Sequence, residues 1–108
     1  MRMLLKAVLD TEAGSETMRR GAVAEVVDRM REDLQPEAFY FFGEDGQRAF
    51  FVVFDLADPS QIPALTEPMY QQAKAKVTLT PCMNVEDLIK GLEEATAQMQ
   101  EMQGQSAQ

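Results

Sequence analysis

"EAFYFFGEDGQRAFFVVFD", residues 37–55, decides how this chain is built. At its centre stands Asp45-Gly46, a pair suited to a type I′ turn, which needs positive φ at both central residues. With those two as the loop, Glu44 faces Gln47, Phe41 faces Phe50, Tyr40 faces Phe51 and Phe39 faces Val52. Side chains alternate along a strand. One face of the hairpin then carries Phe39, Phe41, Phe50, Val52 and Phe54. The other carries Tyr40, Phe42, Ala49, Phe51, Val53 and Asp55. Both faces are apolar, so a monomer must find cover for two sides of the same ribbon.

Working outward, Met3–Asp10 reads as a strand, with Leu5, Ala7 and Leu9 on one side and Leu4, Lys6, Val8 and Asp10 on the other. Residues 15–34 read as one helix, capped by Ser15, with Met18, Ala22, Val23, Val26, Val27, Met30 and Leu34 as its apolar stripe and Gly21 inside it. Gln35-Pro36 stops it, because proline disfavours helix in the residue before it.

After the hairpin, Asp58 caps a second helix, with Pro59 in its first turn and Gln61 completing a capping box. Ile62, Leu65, Met69 and Ala73 form its stripe. Pro68 is expected to kink or split it, with Thr66 available to cap a second piece. Lys76–Thr80 alternates as a last strand, ended by Pro81. Asn84 caps a final helix in which Leu88, Leu92, Ala95, Met99 and Met102 recur at spacings of four and three, the period of a coiled-coil seam. Two readings of that helix stand open: it lies on the domain and frays, or it is an arm that meets a partner. The expected domain is 1–102, with 103–108 a disordered tail.

The order strand, helix, strand, strand, helix, strand is the split pattern of α+β ferredoxin-like folds. Right-handed crossovers give a four-stranded antiparallel sheet of order 4-1-3-2, both helices on one face, plus the C-terminal helix. The other face, with Leu4, Val8, Phe42, Phe51 and Val53, is left bare. Its apolar area is several hundred Å², more than monomers usually expose in one patch. At about 25 cal/mol per Å², covering it is worth on the order of 10 kcal/mol before association costs. The expected cover is a second copy in a closed two-fold homodimer, sheet against sheet.

Composition narrows the functions. The chain has 108 residues, 45% hydrophobic and 26% charged, which suits one globular domain. Its net charge is −8, with scattered bases, so neither nucleic acid nor an anionic membrane is an expected partner. There is one cysteine, Cys82, and no histidine. An intrachain disulfide is therefore impossible, and the commonest general base and metal ligand is missing. No metal and no cofactor are expected. The opening "MRMLLKAVLDTE" reads as a strand and not a signal peptide, so the default compartment is the cytoplasm.

The element order, the strand pair around "GEDGQRAFFVVFDL" and the ending "VTLTPCMNVEDLIKGLEE" resemble the dimeric α+β barrel superfamily, in particular its small bacterial members. The resemblance spans roughly residues 2–95 and rests on pattern, without a catalytic signature. It implies a barrel formed by two sheets and ligands held inside it or between sheet and helices. Branches of that superfamily include cofactor-free monooxygenases, muconolactone-type isomerases, haem enzymes and ligand-sensing domains. This chain lacks the histidine that several of those branches use, which counts against the haem branch and histidine-based chemistries.

Candidate ligand-binding residues are the polar members of the bare face: Lys6, Tyr40, Asp55 and Thr78, with Thr80 beside them. A lysine among apolar neighbours is costly unless paired. Lys6 and Tyr40 could hold an anionic or carbonyl-bearing molecule, with Asp55 as base or orienter. Alternatively Lys6 pairs with a carboxylate, Tyr40 makes one structural hydrogen bond and Asp55 ends its strand. Cys82 has no histidine to activate it and reads as a small buried residue. Glu67 and Tyr70, beside Pro68, read as exposed helix side chains or the rim of a pocket. The pairs Glu32-Asp33, Glu86-Asp87 and Glu93-Glu94 diverge on their helices and share no metal. Three functions remain in view: a small-molecule-binding dimer, a cofactor-free isomerase or monooxygenase acting on a small aromatic or hydrophobic compound, and a purely structural interaction module.

Overall fold

The computed structural model describes residues 1–106. Its elements are β1 (Arg2–Val8), α1 (Thr11–Arg19), α2 (Val23–Leu34), β2 (Ala38–Glu44), β3 (Gln47–Asp55), a 3-10 turn (Pro59–Gln61), α3 (Ile62–Gln72), β4 (Lys76–Pro81) and α4 (Val85–Ser106). The strands form one antiparallel sheet of order β2-β3-β1-β4, which read from its other edge is 4-1-3-2. The architecture is α+β and compatible with a ferredoxin-like fold.

The hairpin has the expected register, with Tyr40 opposite Phe51, Phe41 opposite Phe50 and Glu44 opposite Gln47. Asp45 and Gly46 take φ of 51° and 79°, the left-handed pair that a type I′ turn demands. The alternation in β1 is equally clear: Met3, Leu5 and Ala7 are buried, while Leu4, Lys6 and Val8 are half-buried. The core lies on the face where Met3, Leu5 and Ala7 meet Phe50, Val52 and Phe54, with Leu56, Met69 and Ala75 joining it. Leu5 and Val52, opposite one another, are fully buried. Met30 and Leu34 of α2 and Ile62 and Leu65 of α3 pack against this face.

The first helical segment differs from expectation. It is two helices, not one helix over 15–34. α1 begins earlier, capped by Asp10, whose carboxylate accepts from the Ala13 N–H at 3.0 Å. Ser15 is not a cap; it lies within α1, and its hydroxyl accepts from Arg48 Nη1 at 3.3 Å. Gly21 is not inside a helix either. It has φ of 67° and ends α1, its N–H reaching the Met18 carbonyl and the Ala22 N–H reaching Thr17. These are the two bonds of a Schellman stop, which places a left-handed residue just past the helix. With the segment broken there, Met18, Val23 and Val26 stay exposed, and the lower half of the expected stripe carries the packing.

The 3-10 turn before α3 has the expected box: Asp58 accepts from the Ser60 N–H at 2.8 Å, and Gln61 Oε1 accepts from the Asp58 N–H at 3.2 Å. Pro68 does not split the helix, which runs unbroken from Ile62 to Gln72. Thr66 is buried in it and caps nothing; its hydroxyl donates to the Ile62 carbonyl at 3.0 Å.

α4 stands away from the sheet. Every side chain described in it is exposed, and the molecule is 69 Å long but only 29 by 22 Å across. Of its two readings, the helix lying on the domain is therefore not what the structure has. Its first turn is anchored: the Asp87 N–H donates to Asn84 Oδ1 at 2.7 Å, and Arg2 Nη1 donates to Asp87 Oδ2 at 2.9 Å. The expected disordered tail, 103–108, overlaps this helix as far as Ser106, and 107–108 lie outside the described residues.

Candidate functional site

The helices cover one face of the sheet and leave the other open. Reading across the strands from β2 to β4, the open face has a central row of Tyr40, Phe51, Lys6 and Thr78, each directly opposite the next. Toward the hairpin tip the next row is Phe42, Ala49, Val8 and Lys76. Toward the other end it is Ala38, Val53, Leu4 and Thr80. Three of the four candidate residues thus share one line, spanning about 15 Å at the usual strand spacing. The β2–β3–β1 part of the face is mainly aromatic and aliphatic, with Lys6 set in it, while the β4 part is polar.

Aromatic stacking knits the apolar part. The Tyr40 and Phe51 rings are 5.5 Å apart, and Phe42 lies 6.1 Å from Phe51. Tyr40 is nevertheless 62% exposed, far more than an aromatic ring inside a finished core.

Lys6 has a partner. Its ammonium donates to both Glu44 carboxylate oxygens, at 2.8 and 3.1 Å. The two side chains reach toward each other past the row that holds Ala49, a small and buried residue on this face. Glu44 itself was not picked out from the sequence. The signal for it was present, since Glu44 shares the face of Tyr40 and Phe42 by simple alternation along β2.

Asp55 is not with the other three. It lies at the far end of β3, opposite Arg2, and accepts from the amino group of Met1 at 2.7 Å. At that end Arg2 also binds Glu37 and Asp87. The hydrogen bond with Glu37, then the charges of Glu37 and Asp87, raise the Arg2 guanidinium above its already high value. It is a fixed cation tying β1 to the start of β2 and to α4.

A shallow depression of about 230 Å³ lies at the hairpin end, lined by Val8, Asp10, Glu44, Asp45, Gln47, Lys74 and Lys76. It touches neither Tyr40 nor Thr78. Cys82 is half-buried at the end of β4, its N–H donating to the Arg2 carbonyl. Glu67 and Tyr70 are exposed on α3, where Glu67 accepts from Gln71. Among the described residues no group of three His, Cys, Asp or Glu converges as a metal site. Nor does any buried polar side-chain atom among them lack a partner. No helix among them is long and apolar enough to cross a membrane.

The sequence matches no family model, and no curated protein matches it.

Proposed function

We propose that the chain is a homodimer, formed through the open sheet face, that binds a small hydrophobic or anionic molecule between its two sheets. The observation that carries this reading is the row Tyr40–Phe51–Lys6–Thr78 on a face its own helices do not cover. A second copy stacked on that face would bury the aromatic cluster, as in a dimeric α+β barrel, and complete an inward-facing set of side chains. Tyr40 and Thr78 would offer hydroxyls and Lys6 a cation, while Phe42, Phe51 and Val53 would supply apolar walls. That mixture, mostly apolar with a few convergent polar groups, is what small-molecule sites are made of. Asp55 belongs to the rim of this arrangement. A cofactor-free isomerase or monooxygenase would use the same walls. It would also need a proton acceptor near the row, and Glu44 is the carboxylate in contact with Lys6.

One observation favours a purely structural dimer instead. Lys6 is already neutralised by Glu44, so its charge asks for no ligand. The two readings separate in one experiment: sedimentation mass, followed by titration with benzoate and with the fluorescent sulfonate ANS. A binding dimer gives saturable uptake of at least one probe, weakened in Lys6→Met. A dimer without saturable uptake is the structural module. A folded monomer at all concentrations removes both readings.

A further inference from the structure

The sheet-face dimer leaves α4 unexplained. Val85, Leu88, Ile89, Leu92 and Met99 are all exposed large apolar residues of this helix. At about 100° per residue these residues and Ala95 fall within an arc of about 120°. All six charged residues of α4, namely Glu86, Asp87, Lys90, Glu93, Glu94 and Glu101, fall within an arc of about 120° on the opposite side. In heptad terms the seam is Val85, Leu88, Leu92, Ala95 and Met99. Its flanking positions, Ile89, Gly91, Thr96 and Gln98, carry no charge. A solvated helix would have no reason to keep both its seam and its seam edges free of charge.

We propose that α4 is a self-association arm that pairs antiparallel with α4 of a second copy. The choice of occupant rests on self-complementarity, which a two-fold contact requires. Centred between Glu93 and Glu94, an antiparallel pair sets Leu92 against Ala95 and Leu88 against Met99 in both directions. Large then meets small at the middle, and no layer stacks alanine on alanine. A parallel pair would set Ala95 against Ala95 and leave a gap beside crowded leucines. It would also gather Glu86 and Asp87 of both copies at one end, while the antiparallel pair separates them and opposes the two helix dipoles.

Size sets the strength. The seam from Val85 to Met99 is about 21 Å long. With a width near 10 Å, pairing hides on the order of 400 Å² over both copies, well under the roughly 1,200–2,000 Å² of a stable interface. The arm is therefore a weak contact by itself, and it becomes effective when two arms act together, as between two sheet-face dimers. The antiparallel geometry permits this, because it holds the two sheets at opposite ends of the helix pair with their open faces unused.

The proposal does not rest on the sheet-face dimer, and its test keeps the two apart. In full-length chain carrying Cys82→Ser, Leu88→Cys and Met99→Cys are made separately, oxidised alone and then mixed. The expected result is a disulfide-linked dimer in the mixture and almost none in either variant alone. Linking within each single variant would mean parallel arms, and no linking anywhere would mean free arms; either overturns the proposal. Leu92→Glu should lower the mean sedimentation mass at high concentration about two-fold with unchanged helix content, and an unchanged mass also overturns it. Repeating the mixed cross-link with Phe51→Asp in both chains shows whether arm pairing survives loss of the sheet contact. The expected answer is that it does, at reduced yield.

Discussion

The ammonium of Lys6 is held by both carboxylate oxygens of Glu44, across β3 from one open-face strand to another. Each side chain is about one-third exposed in the single chain, at 36% and 35%. In that state the pair is worth little, under about 1 kcal/mol by analogy with other surface pairs. Under a second sheet the balance changes, because water no longer solvates either charge. Lys6→Met is expected to shift chain stability by less than about 1 kcal/mol and to tighten self-association, since an apolar replacement of a buried charge is often favourable. Glu44→Gln should do the opposite, leaving an unpaired ammonium at the contact and weakening association by about 2 kcal/mol or more. Urea unfolding and sedimentation equilibrium on both variants check the two directions. Equal effects from the two substitutions would remove Lys6 from the interface.

Phe51 is the centre of the open face, flanked by Tyr40 on β2 and Lys6 on β1. Phe51→Asp is expected to abolish sheet-face dimerisation, since central aromatic residues commonly contribute about 2–4 kcal/mol to an interface. The chain should stay folded, because the core is on the other side of the sheet. Circular dichroism and sedimentation mass together distinguish a folded monomer from an unfolded chain.

The contrast between the two faces was legible before any coordinates. Asp45-Gly46 sets the hairpin register, the register sets the faces, and alternation in Leu4–Val8 sorts the rest. The strand order followed from the order of elements. Less legible was the segment 10–34. Its apolar spacing is consistent with a single helix, and the break depends on Gly21 taking a left-handed conformation. The cue was there: Arg19-Arg20-Gly21 is a basic last turn followed by glycine, a helix stop, and Asp10 stands ahead of Thr11 as a cap. Periodicity outweighed punctuation in that reading. Pro68 pointed the other way, but a helix tolerates one missing N–H when the chain around it is packed, as Thr66 and Met69 are. In the candidate site, alternation brought Lys6, Tyr40 and Thr78 to one face. That Asp55 lies at the other end was already contained in the hairpin register, which sets it four residues along β3 from Phe51, the partner of Tyr40.

Gly21 gives a direct check on the helix break. A Cβ there would meet nothing within 4 Å, so the only penalty of a side chain is the positive φ of 67°. Gly21→Ala is expected to destabilise the chain by about 1–2 kcal/mol, the usual cost of a left-handed alanine. Urea denaturation measures it. A neutral or stabilising substitution would mean that α1 and α2 form one helix in solution.

Core and arm substitutions should separate cleanly. Leu5 is fully buried against Val52, and Leu5→Ala is expected to cost about 2–5 kcal/mol. Leu88→Ala removes a similar side chain from a helix that stands clear of the sheet, and should cost the domain less than about 0.5 kcal/mol. Denaturant midpoints measured at low protein concentration, where self-association is least, give both numbers. A large effect at Leu88 under those conditions would mean that α4 folds back onto its own sheet.

Asp58 supplies a prediction in pH. Hydrogen bonds from the Ser60 backbone N–H and hydroxyl favour the Asp58 carboxylate and lower its pKa from the ordinary 3.8. A carboxylate whose folded pKa is depressed stabilises the fold above its unfolded pKa, and loses that contribution as pH falls through the folded value. The capping contribution is therefore complete at neutral pH and disappears in acid, below about pH 4. Asn accepts the same cap hydrogen bond without a titrating charge. Asp58→Asn should retain the turn at neutral pH and remove this part of the acid sensitivity. Asp58→Ala should lose the cap at every pH. Thermal unfolding of the three chains between acid and neutral pH tests the sign: the difference between the native chain and Asp58→Ala must shrink as the solution is acidified. A difference that grows in acid would mean that Asp58 is held in its protonated form, and that the turn before α3 is capped in some other way.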